Sequence, residues 1–458
     1  MKRLVFCFDG TWNRVDAVYP TNVVFAAESV LPLVSDNTAQ LIYYDEGVGT
    51  GRWDRIRGGV LGSGLLKNLA DAYRFLIFNF TPGDEIYVFG FSRGAYSARS
   101  FAGLLSNCGI LLRRDAGKVE EVIELYRGHE NTPEYKEEML RYRSEHSPDI
   151  CLSKEEDEWR AKNIQGYALG QAPIFRVEYI GVWDTVGALG IPASFRWISW
   201  VNKKYQFHDT NLSAFVKGAR HAIAIDERRK DFKPTLWTNI VELNRDAGAN
   251  LDAVDAPYQQ KWFPGTHSSV GGGGERRGLS DQALDWVLDG ARKLGLALDP
   301  GRYSRIYEFL PNHTEFLESS AKPGLLYSMM THLSVQDRLP GPSELFEVSQ
   351  SARRRWHEKP ENLRDQTKYR PPTLAGVAAA LDTIDPKSLG LGGSDGVVQG
   401  AFKMYQIQPN DTLMKIAHRE YGDAQAYRRI YEANLDKLES ADRIYAGQLL
   451  RIPLAPQP

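Results

Sequence analysis

Two stretches of the 458-residue sequence have the form Gly-x-Ser-x-Gly: Gly90-Phe91-Ser92-Arg93-Gly94 and Gly392-Gly393-Ser394-Asp395-Gly396. In that pattern a serine hydroxyl is presented for nucleophilic attack at a strained strand-to-helix turn, and the glycines let the two elements approach closely. Only the first stretch has the required flanks. Ile86-Tyr87-Val88-Phe89 reads as a buried strand, and Ala95, Ala98, Phe101, Ala102 and Leu105 recur at helical spacing until Cys108-Gly109. A helix starting at Arg93 would aim that residue's N–H at a developing oxyanion, which suits acyl transfer. The competing role for Ser92 is to cap the same helix.

A serine nucleophile needs a histidine to take its proton and a carboxylate to orient that histidine. Of the nine histidines, His267 is the leading candidate, because it follows the strand-like Trp262-Phe263 and precedes four glycines, Gly271 to Gly274. His221, on what reads as an apolar helix end, is the rival. His129, His146, His208, His313, His332, His357 and His418 lie in polar or peripheral contexts. For the acid, Val177–Val182 reads as a strand delivering Asp184 to the carboxyl edge of a sheet, where catalytic groups gather. Asp226 and Asp281 remain as alternative acids.

The first strand, Leu4 to Phe8, leads into Asp9-Gly10-Thr11-Trp12-Asn13, where the N–H groups of Gly10 and Thr11 could complete an oxyanion hole with Arg93. Asp-Gly-Thr after a strand is also half of the D-x-D-G-T entry of aspartyl-phosphate phosphatases. Cys7 stands where their nucleophilic carboxylate must be, which removes that chemistry. Gly47-Val48-Gly49-Thr50-Gly51 fits neither dinucleotide- nor phosphate-loop spacing, and no H-E-x-x-H is present, so no cofactor and no catalytic metal are expected.

These residues require an α/β architecture. Strands at Leu4–Phe8, Gln40–Tyr44, Glu85–Phe89 and Phe175–Val182 alternate with helices near Asn22–Leu33, from Leu65 to Ile77, at Asn211–Ile223 and at Ser280–Leu294, as in a mostly parallel sheet with crossover helices. The charged stretch 115–163 reads as a helical insertion serving as a cap, and 300–385 as further cap without clear elements. Residues 386–401 form a glycine-rich linker. A module at 402–454 follows, reading as strand, helix, helix and strand, with Asp411 capping its first helix.

Composition fits a folded globular chain: 42% hydrophobic and 25% charged residues, with 56 Lys+Arg against 58 Asp+Glu. The near-zero balance gives no global field to attract nucleic acid. Three scattered cysteines argue against a disulfide framework. The apolar run after Lys2-Arg3 is only five residues long, too short for a signal peptide, and no run is long enough to span a bilayer.

Taken in order, Phe8-Asp9-Gly10-Thr11-Trp12-Asn13, Gly90–Ala95, Val182-Trp183-Asp184-Thr185-Val186-Gly187 and His267–Gly273 followed by Leu279-Ser280-Asp281 resemble the hydrolase family that includes the type VI secretion lipase effectors of class one (Tle1-like). The resemblance covers roughly residues 1–300. It implies an α/β-hydrolase fold with a triad of Ser92, Asp184 and His267, and phospholipase A-type activity on membrane phospholipids. Residues 402–454 resemble a LysM domain, through Tyr405–Leu413, Tyr421-Gly422-Asp423 and Ile444–Pro453. That implies binding to peptidoglycan or to type VI spike or tail proteins. Together the resemblances imply an antibacterial effector made in a bacterial cytoplasm, exported by a contractile system to a target cell's periplasm and membrane, and matched by an immunity protein. Competing readings are a soluble carboxylesterase acting on acylated sugars or small esters, and a non-catalytic wall-binding or tail-associated protein.

Overall fold

The computed structural model describes the chain except residues 12, 14, 35, 48–59, 129–131, 188–210, 254, 300–310, 319–335, 392–401, 409–410, 433, 435–437, 439–443, 445–448 and 454–458. The elements of the first half are β1 (Arg3–Thr11), α1 (Asn22–Ser29), β2 (Gln40–Gly47), α2 (Val60–Asn79), β3 (Glu85–Phe91), α3 (Arg93–Cys108), α4 (Val119–Arg127), α5 (Pro133–His146), α6 (Lys154–Asn163), β4 (Val177–Trp183) and β5 (Val216–Ala224). Then come α7 (Ile240–Asp246), β6 (Tyr258–Phe263), α8 (His267–Gly271), α9 (Gly278–Lys293), α10 (Gln350–His357) and α11 (Ala378–Asp382).

β1 to β6 form one parallel sheet in the order β2-β1-β3-β4-β5-β6. Helices cover both faces, which is why the strands read as nearly continuous apolar runs. Leu4, Phe6 and Phe8 point into a core shared with α2, α3 and α4. On the opposite face, Tyr87 and Tyr179 donate their hydroxyls to the carbonyls of Leu294 and Val287, at the end of and within α9. The strand ends are aligned: Phe91 lies opposite Trp183, Trp183 opposite Ala222, and Ala224 opposite Phe263. Whatever follows β3, β4 and β6 therefore meets along one edge.

Two expectations about the first 300 residues are corrected. The helix expected over Asn211–Ile223 is instead strand β5, paired with β4 and β6. A short apolar run buried on both sides carries no alternation to separate strand from helix. Its polar residues lie on opposite faces: Arg220 reaches the Asp289 carboxylate in α9 at 3.1 Å, and His221 meets the Gln260 side chain at 3.1 Å. The second correction concerns 115–163. Its helices join the end of α3 remote from Ser92, where Arg143 donates to Asn107 O at 2.7 Å and Ile110 N–H to Ser147 Oγ at 3.0 Å. They pack against α2 and α3 through Val119, Val122, Ile123 and Tyr126 rather than capping the strand ends.

Residues between 345 and 384 build a second apolar cluster, in which Val348, Ala352, Trp356, Leu374 and Leu381 close over Ile223, Ile225 and Trp262. The chain divides into two compact units, Met1–Asp299 with Asn312–Ile384, and Pro300–Pro311 with Asp385–Pro458. In the second unit β7 (Phe402–Gln406) pairs antiparallel with β8 (Leu449–Pro453), and α12 (Leu413–Tyr421) and α13 (Tyr427–Glu432) pack with them around Ile407, Ile416, Ile430 and Ile452. Thr412, not Asp411, caps α12; Asp411 instead accepts from Tyr405 Oη and Gln408 N–H. Among the described residues no helix is long and apolar enough to cross a membrane. The second Gly-x-Ser-x-Gly lies outside the described residues.

Candidate active site

Ser92 is the hinge between β3 and α3, at φ 59° and ψ −122°, a conformation that L-residues adopt at a cost and that is held here by packing on both sides. Gly94 makes the turn possible, since a Cβ there would run into the carbonyl oxygens of Phe8 and Asp9. Ser92 makes no side-chain cap to its helix. Its Oγ instead lies 2.8 Å from His267 Nε2. His267 opens α8, four residues beyond the end of β6, and Gly271 at the end of that helix lets it close on Phe91, whose ring a Cβ would strike. The imidazole is buried between Phe91 and Phe232, with ring centroids at 4.6 and 4.8 Å.

His267 Nδ1 lies 2.5 Å from Asp184 Oδ2, immediately after β4. This contact sets the tautomer: Nδ1 carries the hydrogen toward Asp184, and Nε2 faces Ser92 as the acceptor. Burial pushes the imidazole below its ordinary value, only partly countered by Asp184, so the ring is neutral and basic at neutral pH. The Glu227 carboxylate accepts the His267 N–H at 3.2 Å and fixes the start of α8.

Asp184 is fully buried and has a second partner that no motif announced. Arg338 donates Nη1 to Oδ1 at 2.6 Å and Nη2 to Oδ2 at 2.9 Å, while Ala224 N–H also reaches Oδ1 at 2.9 Å. Burial alone would raise this carboxyl, but the guanidinium beside it, with His267, holds it well below the usual carboxylate range. Arg338 itself is fixed by the carbonyls of Ala224 at 2.8 Å and Phe232 at 2.6 Å. It comes from the stretch that carried no readable pattern, and its sequence context, Asp337-Arg338-Leu339-Pro340, has no feature to single it out.

The other candidates are placed elsewhere. His221 is fully buried, accepts Thr185 N–H at Nε2 at 3.1 Å, meets Gln260 through Nδ1, and is held neutral by burial at about 3. It is a satisfied core histidine on β5. Asp226 accepts from Gly265 N–H and Tyr369 Oη, anchoring the loop before His267, and Asp281, in the first turn of α9, pairs with Arg277 just before that helix at 2.8 Å. Of the expected oxyanion donors, Arg93 is the first residue of α3, directly after Ser92. Gly10 lies against Ser92, but its N–H is taken by Asp9 Oδ1 at 2.6 Å, so an oxyanion could use it only by displacing that carboxylate. Thr11 continues β1 opposite Gly47. Among the described residues no cluster of three or more His, Cys, Asp or Glu could hold a metal ion. Cys7, Cys108 and Cys151 are buried free thiols.

Ser92, His267 and Asp184 all lie within residues 2–290, the span matched by the family described as "T6SS, Phospholipase effector Tle1-like, catalytic domain". The chain belongs to this family. An uncharacterised protein of Saccharomyces cerevisiae is 22% identical, over 68% of this chain and 60% of its own length. The potassium binding protein Kbp of Escherichia coli O6:H1 is 47% identical over 53 residues, 12% of this chain and 36% of that one. The chain thus spans less than two thirds of these curated relatives. Among solved structures, that of the Tle1 effector bound to the VgrG spike from the type 6 secretion system aligns with a TM-score of 0.37 and 15% identity, over 68% of this chain and 77% of that one. The fold of this Tle1-like chain rests on its own strand order.

Proposed function

We propose that this Tle1-like protein is a serine hydrolase that cleaves fatty-acyl esters of membrane phospholipids, as an A-type phospholipase. The observation that carries the reading is the unbroken relay from Ser92 Oγ through His267 to Asp184, at 2.8 and 2.5 Å. Ser92 Oγ attacks the acyl carbon as its proton passes to His267 Nε2. The carbonyl oxygen becomes an oxyanion facing Arg93 N–H, where the helix dipole favours negative charge. When the tetrahedral intermediate collapses, the C–O bond to the glycerol oxygen breaks and His267 returns the proton to that oxygen. Water, deprotonated by the same histidine, then releases the fatty acid from Ser92. Asp184 stabilises the imidazolium formed in each half.

Membership in a family of type VI phospholipase effectors supports phospholipid as the substrate and delivery by a contractile secretion system into a competing cell. In this reading residues 1–385 are the catalytic domain, 386–401 the linker, and 402–454 a LysM-like module that holds the enzyme at peptidoglycan or on the spike. Such tethering raises the local concentration of the enzyme near membrane. The test is a lipidomic assay of purified protein beside Ser92→Ala. Lysophospholipid and free fatty acid should appear with the parent alone. Hydrolysis confined to short soluble esters would replace phospholipase by soluble carboxylesterase, and unchanged toxicity of Ser92→Ala would favour a binding protein.

A further inference from the structure

Beside the relay, between the loop after β5 and residues 336–340, lies a cavity of about 250 Å³. Buried Trp262 and the side chains of Leu236 and Leu339 give it an apolar lining, and the exposed Lys230 and Lys233 stand at its mouth. The run Arg228-Arg229-Lys230-Asp231-Phe232-Lys233 carries four cations and one acid. Arg228 is paired with Asp337 at 2.9 Å and Arg229 with Glu227 at 2.8 Å. Among the described residues Lys230 and Lys233 have no carboxylate partner. They flank Phe232, whose ring is the one set edge-on to His267 at 4.8 Å. An anion held between the two ammonium groups is therefore separated from the catalytic imidazole by a single aromatic side chain.

Two mobile point charges over an apolar lining suit an amphiphilic anion better than a planar carboxylate, which arginine forks recognise. We infer that this cavity is a headgroup subsite, in which Lys230 and Lys233 hold the phosphodiester of a glycerophospholipid while its acyl ester lies at Ser92. This rests on the reading of the site as an acyl-ester hydrolase. The positive charge of Lys230 and Lys233 favours anionic headgroups such as phosphatidylglycerol, because the quaternary ammonium of phosphatidylcholine would be repelled by the same lysines.

The experiment compares hydrolysis of phosphatidylglycerol and phosphatidylcholine vesicles by the full-length protein, by Lys230→Gln/Lys233→Gln and by Lys230→Arg/Lys233→Arg. The parent should prefer phosphatidylglycerol, the glutamine pair should lose about tenfold or more of that preference, and the arginine pair should keep it. A preference that is absent, or is the same in the glutamine pair, overturns the assignment. Co-sedimentation of Ser92→Ala protein with the two vesicle types reads the subsite without turnover, so it decides the matter even if the chain hydrolyses no ester. Binding that favours phosphatidylglycerol only with both lysines present supports the subsite, and equal binding overturns it. Inorganic phosphate tests the other source. Lysine-dependent inhibition by free phosphate, without any headgroup preference, would assign the cavity to free phosphate and overturn the lipid.

Discussion

Arg338 and Asp184 form a two-point ion pair directly behind the candidate base, with Nη1–Oδ1 at 2.6 Å and Nη2–Oδ2 at 2.9 Å, both side chains being buried. Asp184 therefore shares its charge between an imidazole and a permanent cation. The pair fixes the carboxylate rigidly, and at the same time it weakens the field that would otherwise stabilise the imidazolium.

Replacing Arg338 by Met removes that opposing charge. The protonated form of His267 is then better stabilised, and the acid limb of the kcat/KM profile moves to higher pH. An unshifted limb would show that Arg338 has no electrostatic hold on the relay. Breaking a buried pair also costs about 3–5 kcal/mol of stability, read as a lowered Tm. Combining Arg338→Met with Asp184→Asn should cost less than the sum of the two, because each single variant leaves its partner uncompensated.

In the parent protein, burial holds His267 below its ordinary value. A protonated imidazole cannot accept the serine proton, so activity is lost as pH falls through that lowered value and is intact above it. The acid limb of kcat/KM should lie below about 6.5, the unperturbed histidine value. A midpoint above that would contradict the burial argument.

Ser92→Ala should lower kcat on the order of 10⁶-fold, and adding His267→Ala should lower it little further, because the two act as one unit. Asp184→Asn should cost about 10⁴-fold through the wrong histidine tautomer. Steady-state hydrolysis of one ester by all four proteins checks both numbers, and additive losses would argue against a relay.

Gly94→Ala should destabilise the chain by more than about 2 kcal/mol and abolish ester hydrolysis, because its methyl group meets the backbone oxygens of Phe8 and Asp9 rather than a yielding side chain. Gly166→Ala is the control: its φ of +83° strains an alanine, unlike the helical Gly94, but nothing lies within 4 Å of its Cβ, so it should cost less and leave activity in place.

The alternation of strands and helices, the strand-to-helix turn at Ser92 and the position of His267 just after a strand were legible because each is local. Ile86–Phe89 and Ala95–Leu105 declare strand and helix within a few residues of Ser92. β5 was misread because burial on both faces erases the two-residue rhythm, leaving an alanine-rich run that suits either element. The 115–163 helices were recognisable as an insertion. Their place was not, because it depends on α3 carrying the chain from the strand-end edge to the opposite one.

Chain order and residue type thus determined that Ser92, Asp184 and His267 each follow the end of a strand. Only the tertiary structure decided that Arg338 closes the relay from behind and that Gly10 N–H is already occupied. The first is a contact between segments distant in sequence, Arg338 being 154 residues from Asp184; the second joins neighbours, but the Asp9 carboxylate that makes it is held in place by the Thr21 and Tyr44 hydroxyls from other elements. They arise from how layers pack over a shared edge, and no local spacing encodes that.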